Sequence, residues 1–214
     1  MKFCMYKFFL CTLTCIFLSN CSTVPATKTS TPDVLAHPTP SSHAPEDNPF
    51  YIPPSQIDTN AKQFMQNINA GGLMSTVFNR EIEKETAKNP GVGEVMRRAF
   101  NNIQIDDFEN LGAKVYTRHM SKPALEEMKK FTEGPVGGRF FRSVFAYIAE
   151  SKPIDTTEVM RQFNADELTA LLKFTQSDAF LEMQKKLPII NKDMEVEGEK
   201  LGEKVVKAYL KNSP

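Results

Sequence analysis

The chain has 214 residues, with 26 lysines and arginines against 26 aspartates and glutamates, so its formal net charge is zero. This balance provides no field of one sign that would recruit nucleic acid or an anionic lipid surface. All four cysteines lie within the first 21 residues. The rest of the chain therefore has no thiol, which excludes a disulfide scaffold, a zinc–thiolate site and a cysteine nucleophile there.

The first 20 residues have the organisation of a secretory signal peptide. Lys2 and Lys7 provide the basic start, and an uncharged apolar run follows over residues 8–18. This run suits a signal peptide and is too short to cross a bilayer as a helix. The tetrad LSNC at residues 18–21 then resembles the lipobox of bacterial lipoproteins, with Asn20 standing where a smaller residue is usual.

The lipobox resemblance implies a lipid anchor on Cys21. The chain would be cleaved before this residue, carry palmitate on it, and contact a membrane through that lipid. Ser22 follows where an aspartate would signal retention in the inner membrane, so the resemblance favours the outer membrane of a bacterial envelope, facing the periplasm. The alternative is an ordinary signal peptide followed by a chance cysteine.

Residues 21–56 are predicted to form a disordered tether rich in proline, serine and threonine. Residues 22–56 hold 8 of the 14 prolines and no glycine, a composition that cannot build a packed core. His37 and His43 also lie here, but two histidines six residues apart in such a segment make a poor metal site. We therefore expect neither a metal nor a cofactor.

Residues 57–214 are predicted to form an all-α domain. Apolar residues recur at helical spacing in stripes near residues 57–68, 73–82, 92–100, 108–116, 136–148 and about 190–211. Gly71-Gly72 is expected to end the first helix. In the last helix, early acids and late lysines would complement the helix dipole. No stretch shows the alternation of a strand.

An internal repeat organises the second half of the domain. The stretch from about residue 120 to residue 148 resembles the stretch from residue 163 to residue 191. The two are offset by a constant 43 residues, so that Phe131 aligns with Phe174. Ser121 and Asn164 are the cap candidates that begin the two copies. One helical hairpin cannot bury its apolar face alone, so the sequence predicts a compact multi-helix bundle of repeated hairpins that share a core.

The turn within the first copy resembles the signature of the bacterial domain-of-unknown-function 2059 (DUF2059) family. That signature has an acidic helix end, Phe-Tyr, Ser-Pro-x-Gly and a polar or basic residue. Four residues match it: Phe131, Pro135, Gly137 and Arg139. The resemblance covers roughly residues 105–211 and implies an all-helical envelope domain with no established reaction. The four residues could build a tight turn or bind a ligand.

The folded domain has few candidates for chemistry. His119 is its only histidine, and Tyr116 lies one turn earlier on the same helix face. His119 could carry protons, although a histidine that stabilises a helix end is the simpler interpretation. No familiar catalytic or phosphate-binding motif occurs, so no catalytic residue is predicted.

The sequence favours a non-catalytic lipoprotein that binds another envelope protein or the cell wall. An alternative is a module that binds a lipid or another apolar small ligand in a phenylalanine-lined cleft, which the apolar residues 136–148 would provide. An uncharacterised hydrolase is the least favoured class. Tyr116, His119 and the four residues of the turn are the candidate ligand or interaction residues.

Overall fold

The computed structural model describes residues 49–150, 152–153 and 155–212. The predicted signal peptide, Cys21, and the tether as far as residue 48 lie outside these ranges. The described residues form α-helices and no strand, which confirms the all-α prediction. The nine described helices are α1 (Thr59–Asn67), α2 (Ala70–Lys88), α3 (Pro90–Ala99), α4 (Ile105–His119), α5 (Lys122–Glu133), α6 (Pro135–Ala149), α7 (Thr156–Arg161), α8 (Ala165–Thr175) and α9 (Asp178–Asn212).

Helix α1 lies at the centre of the larger of two apolar clusters. Its Ala61, Phe64 and Met65 are at most 2% exposed and pack between α4 and α5. The Phe64 ring centroid lies 5.5 Å from that of Tyr116 and 5.7 Å from that of Phe141. Burying one such ring contributes about 1.5–3 kcal/mol relative to leaving it in water, so the apolar stripe fixes where α1 packs.

A smaller apolar cluster joins α2, α3, α4 and the end of α9. Its buried members are Phe50, Phe78, Ile82, Met96, Phe100, Phe108 and Val205. Phe50 is only 4% exposed, although it lies in the stretch predicted to be a tether. The packed part of the chain therefore begins several residues before the predicted boundary at residue 57. In the described part of the chain, no helix combines the length and apolarity needed to cross a bilayer.

The first predicted helix end is wrong. Helix α1 ends at Asn67, and Asn69 takes the left-handed conformation with φ 56° that asparagine tolerates. Gly71 and Gly72 lie instead in the first turn of α2. A Cβ atom on Gly71 would stand 2.5 Å from the carbonyl oxygen of Ile105, so this glycine permits α2 to approach α4 closely.

The last helix begins about 12 residues earlier than predicted. Helix α9 spans Asp178–Asn212 and continues through Pro188. Pro188 lies on the exposed side, where water can satisfy the carbonyl group that loses its partner. Residues 193–199 therefore stand in the middle of the helix, so the predicted dipole role of their acids is wrong.

The helix boundaries follow the 43-residue offset of the internal repeat. Helices α5 and α8 begin at residues 122 and 165, and α6 and α9 begin at residues 135 and 178. The side chain of Ser121 accepts a hydrogen bond from the N–H of Ala124 at 3.4 Å. Asn164 Oδ1 accepts from the N–H of Glu167 at 3.0 Å, and Glu167 accepts in return from the N–H of Asn164 at 2.9 Å. Both copies thus start with a side-chain cap.

Candidate functional site

The turn between α5 and α6 brings together the four residues that resemble the DUF2059 signature. Pro135 is exposed at the first position of α6, where its missing N–H is no loss. A Cβ atom on Gly137 would overlap the carbonyl oxygen of Phe131, so the turn requires glycine there. The Phe131 ring stacks on Phe174 of α8 at 3.8 Å between centroids and 6° between planes. This turn therefore fixes the contact between the two repeats.

Arg139 links α6 to α8. Its Nη2 lies 2.6 Å from Oε1 of Glu167, and its guanidinium stands 4.6 Å from the ring centroid of Phe163. The pKa of Glu167 lies below its usual value because the N–H of Asn164 donates to this carboxylate and Arg139 adds its charge. Arg139 therefore has partners within the domain, which supports a structural role for the turn.

Tyr116 and His119 lie elsewhere, where α4 contacts α9. Tyr116 is 7% exposed, and burial raises the pKa of its hydroxyl to about 12. His119 Nε2 lies 2.9 Å from Oδ2 of Asp193. The six predicted residues therefore occupy two separate places, the α5–α6 turn and the α4–α9 contact. The pairing with Asp193 gives His119 a partner that sequence analysis did not identify.

An ion-pair cluster joins α4 to α9 around His119. Lys114 Nζ lies 2.5 Å from Oε2 of Glu197, and Arg118 Nη1 lies 2.7 Å from Oδ2 of Asp193. A longer contact of 3.6 Å connects Arg118 to Glu197. Sequence analysis missed both acids, treating them as dipole partners. Helical spacing could have identified Glu197 as an inward-facing acid, because it lies three residues after Met194 and therefore on the same face of α9.

Glu197 is the most buried acid of this cluster. Its side chain is 9% exposed. Burial by itself would raise its pKa, but hydrogen bonds and charge from Lys114 and Lys200 outweigh burial and lower the pKa to about 2. Glu197 is therefore ionised at neutral pH, and it accepts a hydrogen bond from Lys114 that links α9 to α4.

A small cavity lies between α1, α2, α4, α6 and α9. Its volume is about 20 Å³, and Tyr116, Phe145 and Asn191 are among its lining residues. Such a volume holds about one water molecule, whereas ligand sites usually measure about 300–1,000 Å³. Asn191 is 3% exposed, and its Nδ2 has no hydrogen-bond partner within the described residues. The cavity is therefore too small for an acyl chain.

The outer sides of α8 and α9 carry most of the exposed apolar side chains. Among the described residues, nine large apolar side chains are exposed, and six of them belong to these two helices. The six are Leu168 (37% exposed), Leu172 (59%), Leu181 (50%), Ile189 (50%), Val196 (36%) and Leu210 (60%). We call this set the outer surface of α8 and α9.

Two further observations bear on the chemistry of this domain: the grouping of possible metal ligands and the comparison of the chain with known proteins. In the ranges that the structure describes, no three histidine, cysteine, aspartate or glutamate side chains are grouped to hold a metal ion. No protein-family model, curated protein or solved structure matches the chain. The resemblance to DUF2059 therefore stays a prediction that rests on the α5–α6 turn.

Proposed function

We propose that this protein is a lipid-anchored envelope protein whose helical domain binds another protein and catalyses no reaction. The supporting observation is the outer surface of α8 and α9, where leucine side chains are up to 60% exposed. Leu168 and Leu172 lie one turn apart on α8, and exposed apolar side chains repeated on one helix face favour binding, because their burial against a partner is favourable. An apolar surface of this kind suits a protein partner better than the polar cell wall.

The anchor is tested by replacing Cys21. We expect Cys21→Ala to abolish palmitate labelling and to move the protein from the membrane to the soluble fraction. Ser22→Ala, which keeps the cysteine, is the matched control and should leave both unchanged. Labelling that persists in Cys21→Ala would contradict the anchor without bearing on the binding activity of the domain.

The binding activity is tested by affinity purification of the tagged full chain from gently solubilised envelopes. A protein partner should co-purify with the wild type and be lost with Leu172→Glu on α8. Val95→Glu is the control, because Val95 is also exposed, at 37%, but lies on α3. Equal recovery of every co-purifying protein with both variants would contradict the proposed surface. A bound lipid without any protein would instead support the apolar-ligand alternative.

A further inference from the structure

The small cavity beside α4 is rich in methionine. Met65 of α1, Met74 of α2 and Met194 of α9 are three of its ten lining residues. The whole chain, by contrast, has 10 methionines among 214 residues. The three methionines come from three different helices, so it is the packing of these helices that brings their side chains to one cavity.

The packing around Gly112 of α4 locates two of these side chains. A Cβ atom on Gly112 would stand 2.9 Å from Sδ of Met65 and 3.6 Å from Cε of Met74. The ends of both methionine side chains therefore meet against the same residue of α4. Gly112 lies one turn before Tyr116 on this helix, and Tyr116 also lines the cavity.

The chemistry of this lining suits a soft metal ion. The thioether of methionine is a soft, polarisable ligand that selects Cu(I), whereas hard cations prefer oxygen ligands. The cavity of about 20 Å³ has room for one water molecule, and therefore for one such ion. A water molecule would itself need about two to four polar partners, but only Tyr116 and Asn191 among the lining residues have polar side chains.

We propose that Met65, Met74 and Met194 bind one Cu(I) ion in this cavity. Burying a charge is costly unless the charge is paired or coordinated, and the three thioethers supply the coordination. Asn191 adds a fourth group. It is 3% exposed, and its Nδ2 has no hydrogen-bond partner within the described residues, so its amide is free to turn and offer Oδ1 to the ion.

The burial of the three methionines indicates how the ion enters and what it does to the fold. Met65 and Met194 are 2% and 3% exposed, whereas Met74 is only partly buried. Rotation of the flexible Met74 side chain therefore opens the cavity to solvent. Once bound, the ion links α1, α2 and α9, so it should stabilise the folded domain. This site is separate from the outer surface of α8 and α9.

Thermal denaturation of the full chain with Cu(I) tests the site. The cysteine thiols are first blocked with N-ethylmaleimide, because thiolates also bind Cu(I). One equivalent of Cu(I), kept reduced by ascorbate, should raise the melting temperature by more than about 3 °C. Zn(II) should not raise it, because this ion prefers nitrogen, oxygen and thiolate ligands. An unchanged melting temperature with Cu(I), or an equal rise with Zn(II), would overturn the proposal.

Methionine variants assign the ligands. Met194→Leu removes the sulfur and nearly conserves the volume, so the fold should be retained. We expect the affinity for Cu(I), measured by competition with the chelator bicinchoninate, to fall at least about tenfold. Met128→Leu is the matched control, because Met128 is 0% exposed but belongs to α5 and does not line the cavity. Equal affinities of the two variants would contradict the assignment.

Nuclear magnetic resonance of isotope-labelled methionine methyl groups tests the same assignment without disturbing the core. In the parent chain with blocked thiols, Cu(I) should shift the methyl signals of Met65, Met74 and Met194 and leave that of Met128 unchanged. Signals of the three cavity methionines that do not respond to Cu(I) would overturn the proposal, whatever the stability of the variants.

Discussion

Phe131 and Phe174 stack on each other with 3.8 Å between ring centroids, and they occupy the same position in the two copies of the repeat. The copies therefore meet through equivalent residues. Phe180 continues the contact, with its ring centroid 5.5 Å from that of Phe174. The α5–α6 turn resembling a family signature thus serves as the junction between two hairpins, because neither hairpin can bury its apolar face alone.

The stacked pair should be energetically coupled. Phe174 is 6% exposed, so Phe174→Ala should lower the free energy of unfolding by about 3 kcal/mol. Phe131 is only partly buried, and Phe131→Ala should cost less. In a double-mutant cycle measured by urea denaturation, we expect a coupling energy of about 1 kcal/mol. Strictly additive effects would show that the stack contributes nothing beyond burial of each ring.

Gly137 should tolerate no side chain. Gly137→Ala places a Cβ atom against the backbone oxygen of Phe131, and we expect a loss of more than about 2 kcal/mol in the free energy of unfolding. Gly198→Ala in α9 is the matched control, because beyond the backbone of its own helix no atom lies within 4 Å of the added Cβ. This control should stabilise the protein by up to about 1 kcal/mol. Thermal denaturation of both variants measures the contrast, and equal shifts would contradict it.

Glu197 should make stability depend on pH in the acid range. Its pKa is lowered from 4.5 to about 2 in the folded protein, so its contribution is complete above pH 4.5 and is lost as the pH falls to about 2. Because Lys200 is 61% exposed and solvent screens part of the interaction, we expect roughly 2 kcal/mol.

The matched variants for this pH dependence are Glu197→Gln and Glu203→Gln. Glu203 has a side chain that is 71% exposed, so its replacement should change the free energy of unfolding little at any pH. Glu197→Gln should be less stable than the wild type at pH 6, and the difference should shrink towards pH 2. Urea denaturation across this range is the measurement. A constant difference would show that ionisation of Glu197 is not the cause.

Asn191 should be replaceable by an apolar residue without loss of stability. Its unpartnered Nδ2 is buried beside a cavity of about 20 Å³, which offers room for the branched side chain of leucine. We expect Asn191→Leu to stabilise the protein by about 1 kcal/mol, because it removes an unsatisfied polar group. Asn191→Ala should destabilise it by enlarging the cavity. A lower melting temperature for Asn191→Leu would indicate that the amide makes a bond to an internal water.

Most helices could be predicted from the sequence, because a helix must bury one face and therefore repeats its apolar residues. The exception is α7 (Thr156–Arg161), which has six residues and is too short to show such a repeat. The stripe of α1 and the caps Ser121 and Asn164 are examples. Gly71 misled the prediction because a glycine can end a helix or allow close packing. The close approach of the Ile105 carbonyl oxygen shows that Gly71 allows close packing, and Ile105 is too far away in the chain for the sequence to reveal this contact. The predicted start of the last helix near residue 190 was also wrong, because a helix continues through a proline such as Pro188 only where tertiary contacts and solvent permit.

The partners of the candidate residues could not be predicted in this way. Asp193 lies 74 residues from His119 in the chain, and helical periodicity contains no information on which helices pack together. The exposure of the leucines of α8 could not be predicted from the sequence either. Leu125 and Leu168 occupy equivalent repeat positions, but Leu125 is 1% exposed and Leu168 is 37% exposed. The repeat predicts the same helix twice, whereas its surroundings determine which copy keeps an apolar surface.

Site-specific photocross-linking of the full chain in the cells that produce it tests the proposed binding function most directly. A photoreactive amino acid is placed at Leu172 on α8 of the full chain, and at the exposed Ala87 on α2 as the control. The proposed function predicts a defined cross-linked protein from position 172 and none from position 87. Position 172 without any protein cross-link, or the same products from both positions, would contradict an interaction through the outer surface of α8 and α9.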